Sequence, residues 1–387
     1  MYPSIYYAVK DLFGLDLPFL KMIQSFGFFV AMGFLVASYF WTKELQRKEQ
    51  EGLLEPQKIK TLKGAKATTA ELITAAIVGF LIGYKLVFVA LNFKAFTENT
   101  QGFLLSTEGN MMGAILGAAI SAYLKFRENE KVKLPKPILV EETMLAHQHV
   151  GTMTLIAALF GILGAKIFHN LENWDEFVVD PVGALLSFSG LTMYGGLIVA
   201  AIALIIYGRK NKIPVTHLID TSAPALMIGY AIGRIGCHVS GDGDWGIDNL
   251  SPKPNWLSWA PDWVWSYDYP NNVNSVGEPI ANCIGERYCN HLVPPVFPTP
   301  FYETLMCVFL FFVLWNLRKR IKAPGVLFSV YLIFNGIERF FIEQIRVNTL
   351  YHVNGFAFTQ AELISSLLFF IGLTGVWYFN KKFKVQS

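Results

Sequence analysis

Charge is what this chain has least of. Asp, Glu, Lys and Arg together make up 16% of 387 residues, and the formal net charge is only +3. Its basic residues fall in short clusters between apolar runs, so the footprint of nucleic-acid binding is missing. Cysteine is also scarce, at four residues. Cys283 and Cys289 with His291 are poorly spaced for a structural zinc site, and neither a metal nor a cofactor is expected. Residues 1–20 lack a basic start, a short apolar core and a small-residue cleavage site. The first span is therefore expected to act as its own targeting signal.

What is abundant is apolar sequence: 53% of residues are hydrophobic and the mean hydropathy is +0.39. A soluble core of ordinary shape cannot hide that much apolar surface, so the fold class expected is an all-α polytopic membrane protein. Apolar runs at about 22–42, 70–91, 110–126, 148–171, 190–207, 218–238, 301–317, 325–345 and 359–379 give about nine spans. Basic loops follow alternate spans: Lys43, Arg47, Lys48, Lys58, Lys60, Lys63 and Lys66; Lys125, Arg127, Lys131, Lys133 and Lys136; Arg209, Lys210 and Lys212; Arg318, Lys319, Arg320 and Lys322. The tail adds Lys381, Lys382 and Lys384. One orientation satisfies them all, with the N-terminus outside and the C-terminus in the cytoplasm.

Residues 1–20 read as an interfacial amphipathic segment. The longest loop, 239–298, falls outside and carries Trp245, Trp256, Trp259, Trp263 and Trp265. It reads either as a small head resting at the membrane interface or as a packed subdomain. Cys283 and Cys289 are near enough to close a small disulfide ring within it. The chain also repeats at an offset of 81 residues. Gly83-Tyr-Lys85 meets Gly164-Ala-Lys166, and Asn92, Phe96, Gly102, Leu104, Leu105, Ser106, Gly109 and Met112 meet Asn173, Phe177, Gly183, Leu185, Leu186, Ser187, Gly190 and Met193. A duplicated two-span hairpin follows. The whole, 1–387, is read as one membrane domain: an N-terminal span plus extra hairpin over 22–147, then a core over 148–387.

The most informative stretch is Gly229-Tyr-Ala-Ile-Gly233-Arg234-Ile-Gly236-Cys237-His238-Val-Ser240-Gly241-Asp242-Gly-Asp244-Trp245-Gly246. An arginine, a thiol, an imidazole and two carboxylates stand where an apolar segment leaves lipid, and charge at that depth is functional by default. A packing stripe of glycines followed by a polar loop is the plainer reading, but it leaves Arg234 unexplained. Further on, Arg339, Glu343 and Arg346 fall on one helical face by their i, i+4 and i+7 spacing. Two arginines at headgroup level, Arg234 and Arg339, suit a phosphate clamp, with Glu343 orienting one of them. A structural Arg–Glu pair without a ligand is the competing reading.

Residues 229–246 resemble the signature of prolipoprotein diacylglyceryl transferases, roughly Gly-Arg-x-Gly-Asn-Phe-x-Asn-x-Glu-x-x-Gly. Gly233, Arg234, Gly236 and Gly246 match. Cys237, His238, Ser240 and Asp242 depart from it, and one extra residue precedes Gly246. Gly164-Ala-Lys166 and Tyr194-Gly195-Gly196-Leu197-Ile198 are similar to the family's Gly-Ala-Arg and His-Gly-Gly-Leu-Ile-Gly segments, with Tyr194 in the histidine's place. Phe26-Gly27 stands for a Tyr-Gly pair. Pro298-Thr299-Pro300-Phe301-Tyr302-Glu303 resembles His-Pro-Ser-Gln-x-Tyr-Glu, and 336–346 resembles Arg-Phe-x-x-Glu-x-x-Arg. The ordered series runs from about 150 to 380.

The resemblance implies transfer of the diacylglyceryl group of phosphatidylglycerol to the lipobox cysteine of a prolipoprotein, releasing glycerol phosphate. It implies a bacterial cytoplasmic membrane, membrane lipids as surroundings, and a site facing the outer leaflet. The catalytic set expected is His238, Arg234, Arg339, Asp242 and Tyr194. Arg234, Arg339, Glu343, Arg346, Gly195, Gly196, Gly246, Tyr302 and Glu303 would bind substrate. His238 is the candidate base, with Asp242 or Asp244 as its orienter. Two alternatives stay open: a transporter built on the parallel repeat with Lys85 and Lys166 as intramembrane charges, and a phospholipid-binding paralogue without turnover.

Overall fold

The computed structural model describes residues 1–98, 103, 106–135, 137–186, 190, 192–281, 283, 287–353 and 356–386. Of the repeat positions, Gly102, Leu104, Leu105 and Ser187 lie outside the described residues, as does Lys136 of the second basic loop. The chain is mostly helical. Helices α1 (Ile5–Phe13), α2 (Ser25–Gln50), α3 (Thr69–Leu91), α4 (Phe93–Glu98) and α5 (Met111–Lys131) are followed by α6 (Val150–Glu172), α7 (Trp174–Val179), α8 (Pro181–Leu186) and α9 (Met193–Lys210). The last four are α10 (Val215–Ser240), α11 (Thr299–Leu317), α12 (Val326–Glu343) and α13 (Gln360–Gln386).

Among the described residues, six helices are long and apolar enough to cross a membrane: α2, α3, α6 with its lead-in, α9, α11 and α13. The helices at the other three expected spans, α5, α10 and α12, are present but are not among these six. At about 1.5 Å per residue the shortest of them still runs for roughly 27 Å. In α10 and α12 ionisable side chains interrupt the apolar run: Asp220, Arg234, His238, Glu338, Arg339 and Glu343.

Two compact units make up the chain. The first comprises residues 1–54, 149–154 and 205–387. Its middle is α10, against which α2, α11 and α12 all pack. Ala223, Met227 and Ala231 of α10 meet Cys307, Phe311 and Leu314 of α11 and Leu327 of α12 in one buried cluster, joined by Phe40 and Trp315. A Cβ on Gly33 of α2 would lie 3.1 Å from the Gly229 carbonyl, and one on Gly236 would lie 2.9 Å from Phe29. Gly229 and Gly236 thus serve the close helix approach read from the sequence. Gly233 does not, since its Cβ position is open.

Buried ions fasten one end of this bundle. Glu44 takes Arg47 and Arg318, the latter at 2.7 Å. Asp220 accepts the backbone N–H groups of Gly325 and Phe328 at the start of α12, at 2.8 and 2.9 Å, with Lys48 at 3.5 Å. The site described below lies at the opposite end of α10 and α12. There Gly241, in the left-handed conformation at φ +62°, stops α10, and the chain enters the long loop. The loop is a packed head around Tyr269, Leu292 and Val296. Asn272 is fully buried and donates to the carbonyls of Tyr269, Val276 and Asn290. Short strands β3 (Glu278–Pro279) and β4 (Asn290–His291) pair there, and Cys283 and Cys289 form the expected disulfide. His291 pairs with Asp268 at 3.0 Å.

The second unit, residues 55–148 and 155–204, holds the repeat. Helices α3 and α6 are each 23 residues long. They begin at 69 and 150, and α4 and α7 begin at 93 and 174, so both pairs stand 81 residues apart. Asn92 donates to Phe88 O at 3.1 Å and Asn173 to His169 O at 3.0 Å, the same bond in each copy. Strands β1 (Gln57–Lys63) and β2 (Ile138–Met144) pair antiparallel and bracket the first copy. Lys85 is spent locally: its ammonium donates to the carbonyls of Phe103, Ser106 and Glu108 in the turn of its own hairpin.

Candidate functional site

Three arginines from two parts of the chain converge on one buried carboxylate. Glu303, one turn into α11, is fully buried. Arg234 Nε of α10 lies 2.6 Å from Glu303 Oε2, an ion pair. Arg339 Nη1 of α12 and Arg346 Nη1, just past its end, lie 3.2 and 3.4 Å from Glu303 Oε1. Asp244 forms a second bridge, pairing with Arg234 Nη1 and, at 2.8 Å, with Arg346 Nη2. Glu343 sits 3.4 Å from Arg339. Arg234 also donates to the Tyr230 hydroxyl at 3.3 Å.

Local sequence explains this convergence. Arg234 and Tyr230 are one turn apart on α10, as are Arg339 and Glu343 on α12. Past Gly241 and Gly243, both at positive φ, the loop turns Asp244 back over the end of α10. Thr299 Oγ1 donates to the Asp244 carbonyl at 2.8 Å, tying the loop to the start of α11. Gly246 then bridges Arg346, and its N–H donates to the Phe297 carbonyl at 2.9 Å. A Cβ at 246 would meet the Ile345 carbonyl at 2.4 Å, so only glycine fits this crossing.

Three guanidiniums therefore face Asp244, Glu303 and Glu343, and the cluster neutralises itself. Its members differ in access. Asp244 keeps 35% of its side chain exposed, whereas those of Arg234 and Arg346 keep 8% and 10%. Burial works against the Asp244 carboxylate, but Arg234 and Arg346 outweigh it and hold its pKa down at about 2. Asp242 goes the other way, raised by burial and then by the Asp244 charge. Glu338, beside Arg339 on α12, is buried with no hydrogen bond to either carboxylate oxygen among the described residues. Sequence reading gave Glu338 no role, and its only signal was an acid inside an apolar run.

The structure thus unites Arg234, Arg339, Arg346, Glu303, Glu343 and Gly246. Of the two orienters expected for His238, Asp242 accepts the Asp244 N–H at 3.3 Å and Asp244 pairs with Arg234 and Arg346. The partner of His238 Nδ1 is the Tyr269 hydroxyl at 3.1 Å. The imidazole sits among Trp263, Tyr267, Tyr269 and Phe301, with ring centroids 5.6–5.8 Å away. Tyr302 is a strut, donating to the Val264 carbonyl at 2.7 Å. Tyr194, Gly195 and Gly196 belong to the other unit. There the Gly195 carbonyl would lie 2.5 Å from a Cβ on Gly164, so the pair seats α9 against α6. The Cys237 thiol lies 3.7 Å from both Arg234 Nη1 and Asp244 Oδ2.

Comparison with known proteins adds the family. Three similar proteins bear the name phosphatidylglycerol–prolipoprotein diacylglyceryl transferase. That of Dehalococcoides mccartyi (strain 195) is 27% identical over 242 residues, covering 62% of this chain and 80% of the relative. That of Leptospira interrogans (serovar copenhageni) is 26% identical over 292 residues, covering 62% and 81%. That of Shouchella clausii is 26% identical over 270 residues, covering 69% and 83%. The profile of the prolipoprotein diacylglyceryl transferase family matches residues 132–378, which include every residue of the arginine cluster. With well over half of its length inside that match, the chain belongs to the prolipoprotein diacylglyceryl transferase family.

Proposed function

We propose that this protein transfers the diacylglyceryl group of phosphatidylglycerol to the lipobox cysteine of a prolipoprotein. The observation that carries the reading is the convergence of Arg234, Arg339 and Arg346 on Glu303, with Asp244 as an anionic bridge. In the reaction the cysteine sulfur bonds to the glycerol carbon that bears the phosphate. The carbon–oxygen bond breaks, its electron pair goes to the phosphate oxygen, and glycerol phosphate leaves. Guanidiniums are the donors suited to that growing charge, since they stay protonated and offer a planar fork.

A phosphate can enter only if a carboxylate yields. Asp244 is the one that yields, because it is the most exposed member of the cluster and lies between two positive-φ glycines and Gly246. Glu303 stays and holds the arginines in register. The proton of the attacking thiol, whose free pKa is about 8.5, passes to His238. With Nδ1–H donating to the Tyr269 hydroxyl, Nε2 is left to accept it.

The reading includes about nine spans, an outer N-terminus and a cytoplasmic C-terminus, supported by the alternation of basic loops. It places the site at the outer leaflet of a bacterial cytoplasmic membrane. The test is direct: purified protein in bilayers containing phosphatidylglycerol is given a lipobox peptide, and the peptide mass is followed. A gain equal to one diacylglyceryl group on the cysteine is expected. Phospholipid binding without that gain would overturn the reading in favour of a paralogue that binds without turnover.

A further inference from the structure

The most exposed tryptophans of the head stand on a loop built to be stiff. Trp256 and Trp259 are 72% and 81% exposed. Around them Lys253 Nζ donates to the Ala260 carbonyl at 2.6 Å and pairs with Asp262 at 2.7 Å. Trp265 Nε1 donates to the Ser251 carbonyl at 2.9 Å, and Asn249 Nδ2 to the Trp265 carbonyl at 2.7 Å. Ser266 Oγ donates to the Asn249 carbonyl at 2.9 Å. So fastened, the loop does not fold the two indoles inward. A stiff loop that holds large apolar rings outward marks a surface with a partner.

The level of the loop identifies that partner. Immediately after the two rings the chain is moored to the first turn of α11 and the residues that lead into it. Tyr302 holds the Val264 carbonyl at 2.7 Å, the Trp263 ring meets Phe301 at 5.0 Å, and the Trp265 ring meets Phe297 at 5.4 Å. Helix α11 starts at Thr299 and is one of those apolar enough to cross a membrane. Its flanks stay apolar and exposed at Leu305, Phe309 and Phe312. The rim of the head therefore lies where α11 enters lipid. Indole suits that layer, having an apolar body for the acyl side and one N–H for the wet side.

We propose that Trp256 and Trp259 are a membrane footing, sunk in the headgroup layer of the leaflet that α11 enters. The footing holds the head down beside the arginine cluster. The inference needs the membrane but not the transfer reaction, and its test reads no activity.

Spin labels on Trp256→Cys and Trp259→Cys are compared with one on Glu278→Cys, an exposed position on β3. The protein is reconstituted in bilayers of phosphatidylethanolamine and phosphatidylglycerol. The native free thiols, Cys237 and Cys307, are buried, and unsubstituted protein serves as the labelling blank. Collision with oxygen relative to a water-soluble nickel chelate should be about threefold or more higher at 256 and 259 than at 278, as for side chains in the interface. Equal ratios at the three positions would overturn the footing. So would shielding that arises only after a lipobox peptide is added, which would assign the surface to the protein substrate.

Discussion

Arg234 Nε lies 2.6 Å from Glu303 Oε2, and both side chains are shut away from solvent. The pair joins α10 to α11, and the same carboxylate takes Arg339 and Arg346. Glu303→Gln removes the charge that three guanidiniums share. Breaking a buried pair by removing one partner costs about 3–5 kcal/mol, so a clear fall in melting temperature is expected along with lost transfer. A variant as stable as the parent would show that the arginines do not depend on Glu303.

The arginines themselves should fail separately in chemistry. Arg234→Lys and Arg339→Lys keep a charge but lose the fork that grips two oxygens at once. Each is expected to lower kcat by roughly 10²- to 10³-fold, the loss seen when one preorganised donor to a developing oxyanion is removed. Single-turnover rates with saturating phosphatidylglycerol check this, and near-parental rates for both would sink the clamp.

Asp244 gives a prediction of the opposite sign. If it occupies the place of the phosphate, Asp244→Asn frees Arg234 and Arg346, so KM for phosphatidylglycerol falls and glycerol phosphate inhibits at lower concentration. A raised KM with unchanged product inhibition would make Asp244 a simple structural partner. The pH dependence follows from its depressed pKa of about 2. A carboxylate held below its unfolded value, near 3.9 for aspartate, adds stability that is full above that value and disappears as pH falls through the folded one. Melting curves of the parent and Asp244→Asn should therefore converge as pH drops from about 4 toward 2.

Much of this site was legible in sequence, and the remainder shows what periodicity does not encode. Arg339 and Glu343 follow from helical spacing, and Arg234 from its depth in an apolar run. The repeat was legible too, because the 81-residue offset reappears in the starts of α3 and α6 and of α4 and α7. The choice between Asp242 and Asp244 was not. It depends on two positive-φ glycines and one additional residue, which decide which carboxylate reaches Arg234 and Arg346. The partner of His238 was hidden for another reason: Tyr269 and the rings around the imidazole come from residues 263–301, brought together only by the fold of the head.

Asp242 should behave unlike its neighbour. Burial and then the Asp244 charge raise its pKa from the ordinary aspartate value. The folded state then favours the protonated form, and ionisation at neutral pH carries a cost that is absent below the unfolded pKa. Asp242→Asn should raise the melting temperature at pH 7 by a few degrees, on the order of 1 kcal/mol for a domain of this size. The gain should vanish near pH 3, about a unit below the unfolded aspartate value. A gain that persists there would point to packing instead of charge.

His238 carries the most decisive substitution because its surroundings tolerate the change. Trp263, Tyr267, Tyr269 and Phe301 enclose the imidazole, so His238→Phe places a ring of similar shape in an aromatic box and should fold normally. What it removes is the proton acceptor and the 3.1 Å contact to Tyr269. As a general base His238 should be worth about 10²- to 10⁴-fold in rate. Tyr269→Phe leaves the imidazole but frees its orientation, so a smaller loss is expected, with an altered pH profile. Raising the pH should rescue His238→Phe, since more of the substrate thiol is then ionised without help. Full activity of His238→Phe at pH 7 would remove the imidazole from the chemistry and leave the arginine field alone to lower the pKa of the substrate thiol.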